Sequence, residues 1–420
     1  MDKFIVRGGA TLSGSVAVSG AKNAMLELIP STLLAPGSYT FTNAPDIGDV
    51  RTMAGLLEQM GATTTFADGI LTIDTSTIRT QEAPYDLVKK MRASIHVLGP
   101  LVARFGHARV SLPGGCAWGP RPVDLHLKGL EKLGAEIEIV GGYIEARAER
   151  LTGSTITLDV SSVGATYNLM AAATLADGET TIWNAAMEPE VVAAGEHLIA
   201  MGAQIEGLGT SRVTITGVSH LSPAGTAVIP DRIEAGTLLA TAAMTGSAIT
   251  ITSVNAEHIG AILEKLEQTG CALTIDATSI TIVPPERLLP VSITTAIHPG
   301  FPTDMQAQWT AMMTQADGVS TVTDKIYHDR FSHIPELARL GCGIELHDNT
   351  ATIIGGHAMT GATVMSTDLR ASVAMVMAGM VAEGETEILR VYHLDRGYEA
   401  LEKKLCTLGA AIERVETHEY

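Results

Sequence analysis

The 420-residue chain is short of basic residues, of cysteine and of long apolar runs. Its 28 Lys and Arg stand against 46 Asp and Glu, a net charge of −18. That balance argues against nucleic acid or an anionic membrane surface as a partner. No apolar run approaches the roughly 18 residues that a membrane-spanning helix needs, so none is expected. Four cysteines without close pairing fit a reducing compartment, and the cytoplasm is the expected location. The start, Met1-Asp2-Lys3-Phe4, carries charge and runs into alternation, so no secretory leader is expected there. Thirteen scattered His form neither HExxH nor CxxC, and no metal or cofactor is expected. Low-complexity segments are absent as well.

What is present is a repeat. Six times a helix-like segment ends in Gly and a small residue: Gly61-Ala62, Gly134-Ala135, Gly202-Ala203, Gly270-Cys271, Gly341-Cys342 and Gly409-Ala410. These glycines recur every 68 to 73 residues, which marks one supersecondary unit copied six times. Each copy opens with a segment apolar on nearly all sides, such as Ala165–Ala176 or Ala371–Ala382. A Gly turn, a short alternating strand (Thr180–Trp183, Thr386–Leu389) and an amphipathic helix such as Val191–Met201 follow. After the Gly cap comes a hairpin, as in Gln204–Glu206 and Val213–Thr216. A helix apolar on every face must be buried, so this one is expected inside, with the amphipathic helix and sheet around it. The length suggests two domains of three copies each, with His220–Gly225 fitting the crossover.

Polar residues recur directly before each buried segment. Lys22, Arg92, Val163 (next to Ser162), Arg232, Asp304 and Arg370 lie 37 to 42 residues before the glycine of their copy. Helix N-termini attract anions, and a cation there is tolerable when an anionic ligand neutralises it. The alternative is ordinary capping, which suits Ser162 and Asp231 and explains Lys22, Arg92 and Arg370 badly. Arg330, Arg370 and Arg396 near turn or helix starts could fork onto carboxylate or phosphate, or form surface salt bridges. Of the cysteines, Cys271 and Cys342 stand where other copies have Ala and read as small core residues. Cys406 falls inside the helical segment Glu399–Leu408 and also reads as structural. Cys116 alone sits in a Gly- and Pro-rich loop, five residues before Arg121, where a cation favours thiolate. A Cys/His/Asp protease is poorly supported, since no His shares the repeat phase of these residues.

Ser19–Ala24 (SGAKNA), Lys90–Ser94 (KMRAS), Leu112–Leu125 (LPGGCAWGPRPVDL), Phe301–Gln308 (FPTDMQAQ) and Thr367–Ala371 (TDLRA) resemble the UDP-N-acetylglucosamine enolpyruvyl transferases over essentially the whole chain. The resemblance implies a two-domain inside-out α/β barrel with pseudo-threefold symmetry in each domain. It assigns residues 22–229 to one domain and 1–21 with 230–420 to the other, with the active site in the cleft between them. It also implies two small-molecule substrates, phosphoenolpyruvate and UDP-N-acetylglucosamine. Cys116 is then the general acid and Asp304 the base, with Lys22 and Arg396 in the catalytic set. Lys22, Asn23, Arg121, Arg370 and Arg396 would hold phosphoenolpyruvate. Arg92, Arg121, Pro122, Val123, Asp124, Leu125, Ser161, Ser162, Val163, Gly164, Asp304 and Ile326 would line the nucleotide-sugar site. Arg330, Asp368, Asp231 and Arg232 match further cleft positions.

Two departures stand out: Gly48 where some members carry Lys, and Trp118 with Pro120, which make the Cys loop bulkier and stiffer. Enolpyruvyl shikimate-phosphate synthase shares this chemistry, but the Cys loop and Arg121–Leu125 argue against it. A non-catalytic sugar-nucleotide binder would be expected to lose Cys116, Asp304 or Lys22, and all three are present. The resemblance makes Cys116 the target of the epoxide fosfomycin. Mass spectrometry of digested, treated protein should find the adduct on Cys116, and none should form in Cys116→Asp.

Overall fold

The computed structural model describes residues 2–89, 91–112 and 123–416. The chain divides into two compact units, Gly20–Ile229 and Met1–Ser19 with Pro230–Tyr420. Each has its own hydrophobic core and three copies of the repeat. We number the six interior helices α1 (Lys22–Ser31), α2 (Leu98–Phe105), α3 (Val163–Ala173), α4 (Arg232–Met244), α5 (Gln306–Met313) and α6 (Leu369–Val381). Their burial follows from composition. In α6 every residue from Leu369 to Met380 is buried, and most are Ala, Met, Val or Leu. Each large aliphatic side chain moved out of water contributes about 1.5–3 kcal/mol. The buried threonines of α4 return their hydroxyl protons to the helix: Thr237 donates to the Ile233 carbonyl and Thr241 to that of Thr237, each at 2.7 Å.

Six four-stranded sheets cover these helices, all with one pattern. In the third, Thr155–Thr157 runs parallel to Glu179–Trp183, which pairs antiparallel with Arg212–Thr216, itself antiparallel to Gln204–Glu206. Three sheets borrow a strand from elsewhere in their unit. Asp2–Arg7 lies between Glu385–Leu389 and Ala411–Glu416, and Ser15–Ala17 runs parallel to Ile249–Thr252. Thr226–Ala227 runs parallel to Ser38–Thr42. Consequently His220–Gly225 leads back to the first sheet of its own unit, where Pro223 packs on Gly37 and Gly225 on Thr40. The passage to the other unit comes later, at Ile229 and Pro230.

Two further expectations need correction. Not every buried segment starts as an α-helix. Arg92–Val97 is a 3-10 helix that precedes α2, and Thr303–Met305 is a 3-10 turn that precedes α5. Pro100 lies in the first turn of α2, and its missing N–H and its ring prevent regular α-helix from running back through His96. Cys406 is exposed: within the helix Leu401–Thr407 its thiol points outward and donates to the Ile412 carbonyl at 3.3 Å. Cys271 and Cys342 are buried, and burial pushes both thiols up, that of Cys342 to about 12, so neither is a nucleophile.

All six repeat glycines have positive φ, from 91° to 113°. At Gly202 an added Cβ meets nothing within 4 Å, whereas at Gly61 it would lie 2.4 Å from the Thr77 carbonyl oxygen. Gly202→Ala should therefore cost only the backbone term, about 1–2 kcal/mol. Gly61→Ala should cost distinctly more in urea denaturation, and equal losses would disprove this reading.

Candidate functional site

In the unit formed by Met1–Ser19 and Pro230–Tyr420, the starts of α5 and α6 meet at one carboxylate. Asp304, in the 3-10 turn before α5, accepts from Arg330 Nη1 at 2.7 Å on Oδ1 and from Arg370 Nη2 at 2.8 Å on Oδ2. Arg370 is the second residue of α6 and its side chain is only 3% exposed; that of Arg330 is 8% exposed. Burial works against the Arg370 charge, but Asp304, Tyr398 and Asp231 outweigh it and hold its pKa above the usual guanidinium value. Asp231, the N-cap of α4, is thus close enough to act on the start of α6. The Tyr398 ring lies 5.3 Å from the Arg370 guanidinium. Gln308 Nε2 ties the ensemble together by donating to the Asp304 carbonyl at 2.9 Å, to Thr237 Oγ1 at 3.1 Å and to Tyr398 Oη at 3.2 Å.

Capping accounts for three of the residues singled out in the sequence. Ser162 Oγ accepts from the Ala165 N–H, and Asp231 Oδ1 accepts from the N–H groups of Ile233 and Glu234. Asp368 Oδ1 accepts from those of Arg370 and Ala371, while its Oδ2 accepts from Ser332 Oγ at 2.9 Å. The Asp368 carboxylate is therefore committed to the start of α6, whereas both oxygens of Asp304 accept from guanidiniums. Three of the cations singled out in the sequence are balanced by the protein's own carboxylates. Lys22, first in α1, pairs with buried Asp49 at 3.3 Å, and Arg330 and Arg370 pair with Asp304. Arg330 and Arg370 are accordingly buried pairs and not the surface salt bridges weighed from the sequence. Removing one partner of a buried pair typically costs about 3–5 kcal/mol.

Arg396 is half-buried and ends the 3-10 helix Val391–Arg396. His393 of that helix feels both Arg396 and Asp368, and burial, foremost, lowers its pKa. Ile326 is half-buried, with its N–H on Asp324 Oδ1 at 2.9 Å. Arg232 is half-buried at the start of α4.

In the unit Gly20–Ile229, Asn23 is half-buried beside Lys22, and Arg92 opens its 3-10 helix. Ser161, Ser162, Val163 and Gly164 form the half-buried approach to α3. Val123 caps the helix Asp124–Lys132; Asp124 makes an exposed 3.4 Å pair with Lys128, and Leu125 is buried. Cys116, Arg121 and Pro122 lie outside the described residues, as do Trp118 and Pro120.

Two histidines that drew no notice in the sequence determine the shape of this region. His96 Nδ1 bonds the Leu26 carbonyl at 3.0 Å, so that nitrogen carries the proton. Asn168 Nδ2 donates to the Ile95 carbonyl and to His126 Nδ1, both at 2.9 Å, so His126 is protonated on Nε2. Both rings crowd Gly164, where a Cβ would lie 2.9 Å from His96 Nε2 and 3.3 Å from His126 Cε1. Gly164 is thus required by packing, whatever else it contacts. Asp49, His96, His126 and Asn168 had no local signal, since their partners lie on other elements.

The fold and its site define a class before they define a member. The structure of EPSP synthase from Acinetobacter baumannii aligns with a TM-score of 0.76 over 99% of this chain and 100% of its own, at 19% identity, a likeness of fold alone. The enolpyruvyl transferase NikO from Streptomyces tendae aligns at 0.89 over 98% of both chains, with 26% identity. The family model for EPSP synthase (3-phosphoshikimate 1-carboxyvinyltransferase) matches residues 6–405, and the chain belongs to that family of carboxyvinyl transferases. The UDP-N-acetylglucosamine 1-carboxyvinyltransferases of Prosthecochloris aestuarii and Chlorobium phaeovibrioides are similar to it at 56% and 55% identity, each over 100% of both chains.

The buried histidines impose a pH dependence. Burial, helped by Arg92, holds His96 at about 4, and burial with His96 and Arg92 holds His126 at about 3, against an ordinary 6.5. Below pH 6.5 the unfolded chain takes up protons that the folded protein refuses, so stability falls as pH drops toward 4. His126→Gln, which still accepts from Asn168, should flatten the urea-denaturation slope between pH 6 and 4 by up to about 1.4 kcal/mol per pH unit. An unchanged slope would mean that the folded protein accommodates a charged His126.

Proposed function

We propose that this protein transfers the enolpyruvyl group of phosphoenolpyruvate to the 3′-hydroxyl of UDP-N-acetylglucosamine and releases phosphate, the step that commits the sugar nucleotide to peptidoglycan synthesis in the cytoplasm. The observation that carries the proposal is full-length identity of 56% to a relative of that name. The site residues are consistent with the chemistry. The sugar hydroxyl oxygen attacks C2 of phosphoenolpyruvate while C3 gains a proton, giving a tetrahedral ketal. Loss of a C3 proton and cleavage of the C2–O bond then expel phosphate. Such a path needs a general acid, a carboxylate base and a cationic cradle. In this reading Cys116 protonates C3 and Asp304 receives the hydroxyl proton. Lys22, Arg121, Arg370 and Arg396 hold the anionic groups of phosphoenolpyruvate, with Asn23 beside them. Arg92, the segment from Arg121 to Leu125, the approach to α3 and Ile326 receive the nucleotide sugar.

The paired state of Asp304 adds a step to this account. Arg330 and Arg370 both hold its carboxylate. In this reading a bound phosphate or carboxylate competes with Asp304 for those guanidiniums, and the Asp304 carboxylate takes the hydroxyl proton.

The family name supplies the competing acceptor, shikimate 3-phosphate. Phosphate release from phosphoenolpyruvate should require UDP-N-acetylglucosamine and should not occur with shikimate 3-phosphate. The reverse preference, measured on purified protein, would overturn the assignment.

A further inference from the structure

Behind the Arg330–Asp304 pair lies a carboxylate for which the proposed reaction has no use. Asp324 is fully buried, just beyond the strand Val319–Thr323. Its own backbone is pinned to Asn349: the Asp324 N–H donates to the Asn349 carbonyl, and Asn349 Nδ2 donates to the Asp324 carbonyl, both at 2.9 Å. Four donors converge on its side chain. Oδ1 accepts from Thr295 Oγ1 at 2.7 Å and from the N–H groups of Ile326 and Tyr327 at 2.9 Å each. Oδ2 accepts from Thr303 Oγ1 at 2.7 Å.

The last of these bonds orients a hydroxyl. Thr303 has one hydroxyl proton and spends it on Asp324, so only lone pairs remain to face Arg330. Arg330 Nη1 donates to that oxygen at 3.1 Å and to Asp304 Oδ1 at 2.7 Å. On its other flank the guanidinium lies 5.6 Å from the centroid of the Tyr327 ring, and Asp324 holds the Tyr327 N–H. Asp324 therefore grips two residues that touch the Arg330 guanidinium, one by side chain and one by backbone.

We propose that Asp324 is a positioning residue which, through Thr303 and Tyr327, sets the guanidinium of Arg330 and thereby the Asp304 carboxylate. The geometric part stands on the contacts above; its kinetic consequence rests on the proposed role of Asp304. Without the Asp324 acceptor, the Thr303 hydroxyl is free to turn its proton toward Arg330, where it repels the guanidinium. Arg330 then loses a fixed orientation, and misplacement of catalytic groups can cost up to about 100-fold in rate.

The test uses Asp324→Asn, Thr303→Val, Thr303→Ser and the double variant Asp324→Asn/Thr303→Val in the full-length protein. One readout is independent of any substrate: rotation of the Arg330 guanidinium by ¹⁵N NMR, with the signal assigned through Arg330→Lys. Rotation should be slow in the unsubstituted protein and in Thr303→Ser, which keeps the hydroxyl, and fast in Asp324→Asn and Thr303→Val. The other readout is kinetic. Asp324→Asn and Thr303→Val should each lower kcat by about 10- to 100-fold with KM for phosphoenolpyruvate unchanged. The double variant should be no worse than the poorer single, because both substitutions cut one chain of contacts. Slow Arg330 rotation in a folded Asp324→Asn or Thr303→Val protein would overturn the proposal. If Asp324→Asn does not fold, the contrast between Thr303→Val and Thr303→Ser decides. If the unsubstituted protein transfers no enolpyruvyl group, the functional reading fails, and the NMR readout still judges the role of Asp324.

Discussion

A helix without a polar face cannot meet water, and six such helices dictate most of what this chain does. None can be satisfied inside its own repeat, because one sheet and one amphipathic helix cover only part of its surface. Three repeats enclosing three helices solve the problem within each unit, so each unit has its own core. The same constraint explains the borrowed strands. Asp2–Arg7, Ser15–Ala17 and Thr226–Ala227 complete sheets whose other strands are far away in sequence, and an incomplete sheet would leave its helix exposed.

Burying a helix also buries its ends, where free N–H groups and the aligned backbone dipoles favour negative charge. The protein answers in two ways. At α3, α4 and α6 a Ser or Asp side chain caps the terminus. At the starts of α1 and α6 it sets cations that a bare helix terminus would disfavour, and it neutralises them with carboxylates from other elements: Asp49 for Lys22 and Asp304 for Arg370. Such pairs keep buried cations charged.

The two units organise their polar interiors differently. Around Asp304 the chemistry is ionic, with guanidiniums, carboxylates and a Gln308–Thr237–Tyr398 cluster behind them. Around α3 it is neutral: His96, His126 and Asn168 interlock through single protons and leave room only for Gly164. Glu27 belongs to the neutral group too. It is fully buried in α1, and burial, reinforced by Glu190 and Glu188, raises its pKa well above the ordinary carboxylate value. It sits inside a helix that starts with Lys22.

The repeat, the interior helices, the hairpins and the positive-φ glycines were all legible in the sequence, because each follows from local periodicity or from a backbone conformation that only certain residues tolerate. The candidate residues at the helix starts were legible for the same reason: they recur at one phase of the repeat. What tertiary structure alone decided is which charge meets which. Asp368 and Asp304 look alike in sequence, yet one is consumed as a cap and the other is held between two guanidiniums. Asp49, His96 and His126 act through partners on other elements, as Asp324 does through Thr295 and Thr303, and no local pattern records those pairings. The 3-10 starts at Arg92 and Thr303, and the outward turn of Cys406, depend on how one or two residues pack at an element's end. Periodicity averages over a helix and cannot resolve its termini, whereas packing and ion pairing are settled residue by residue in space.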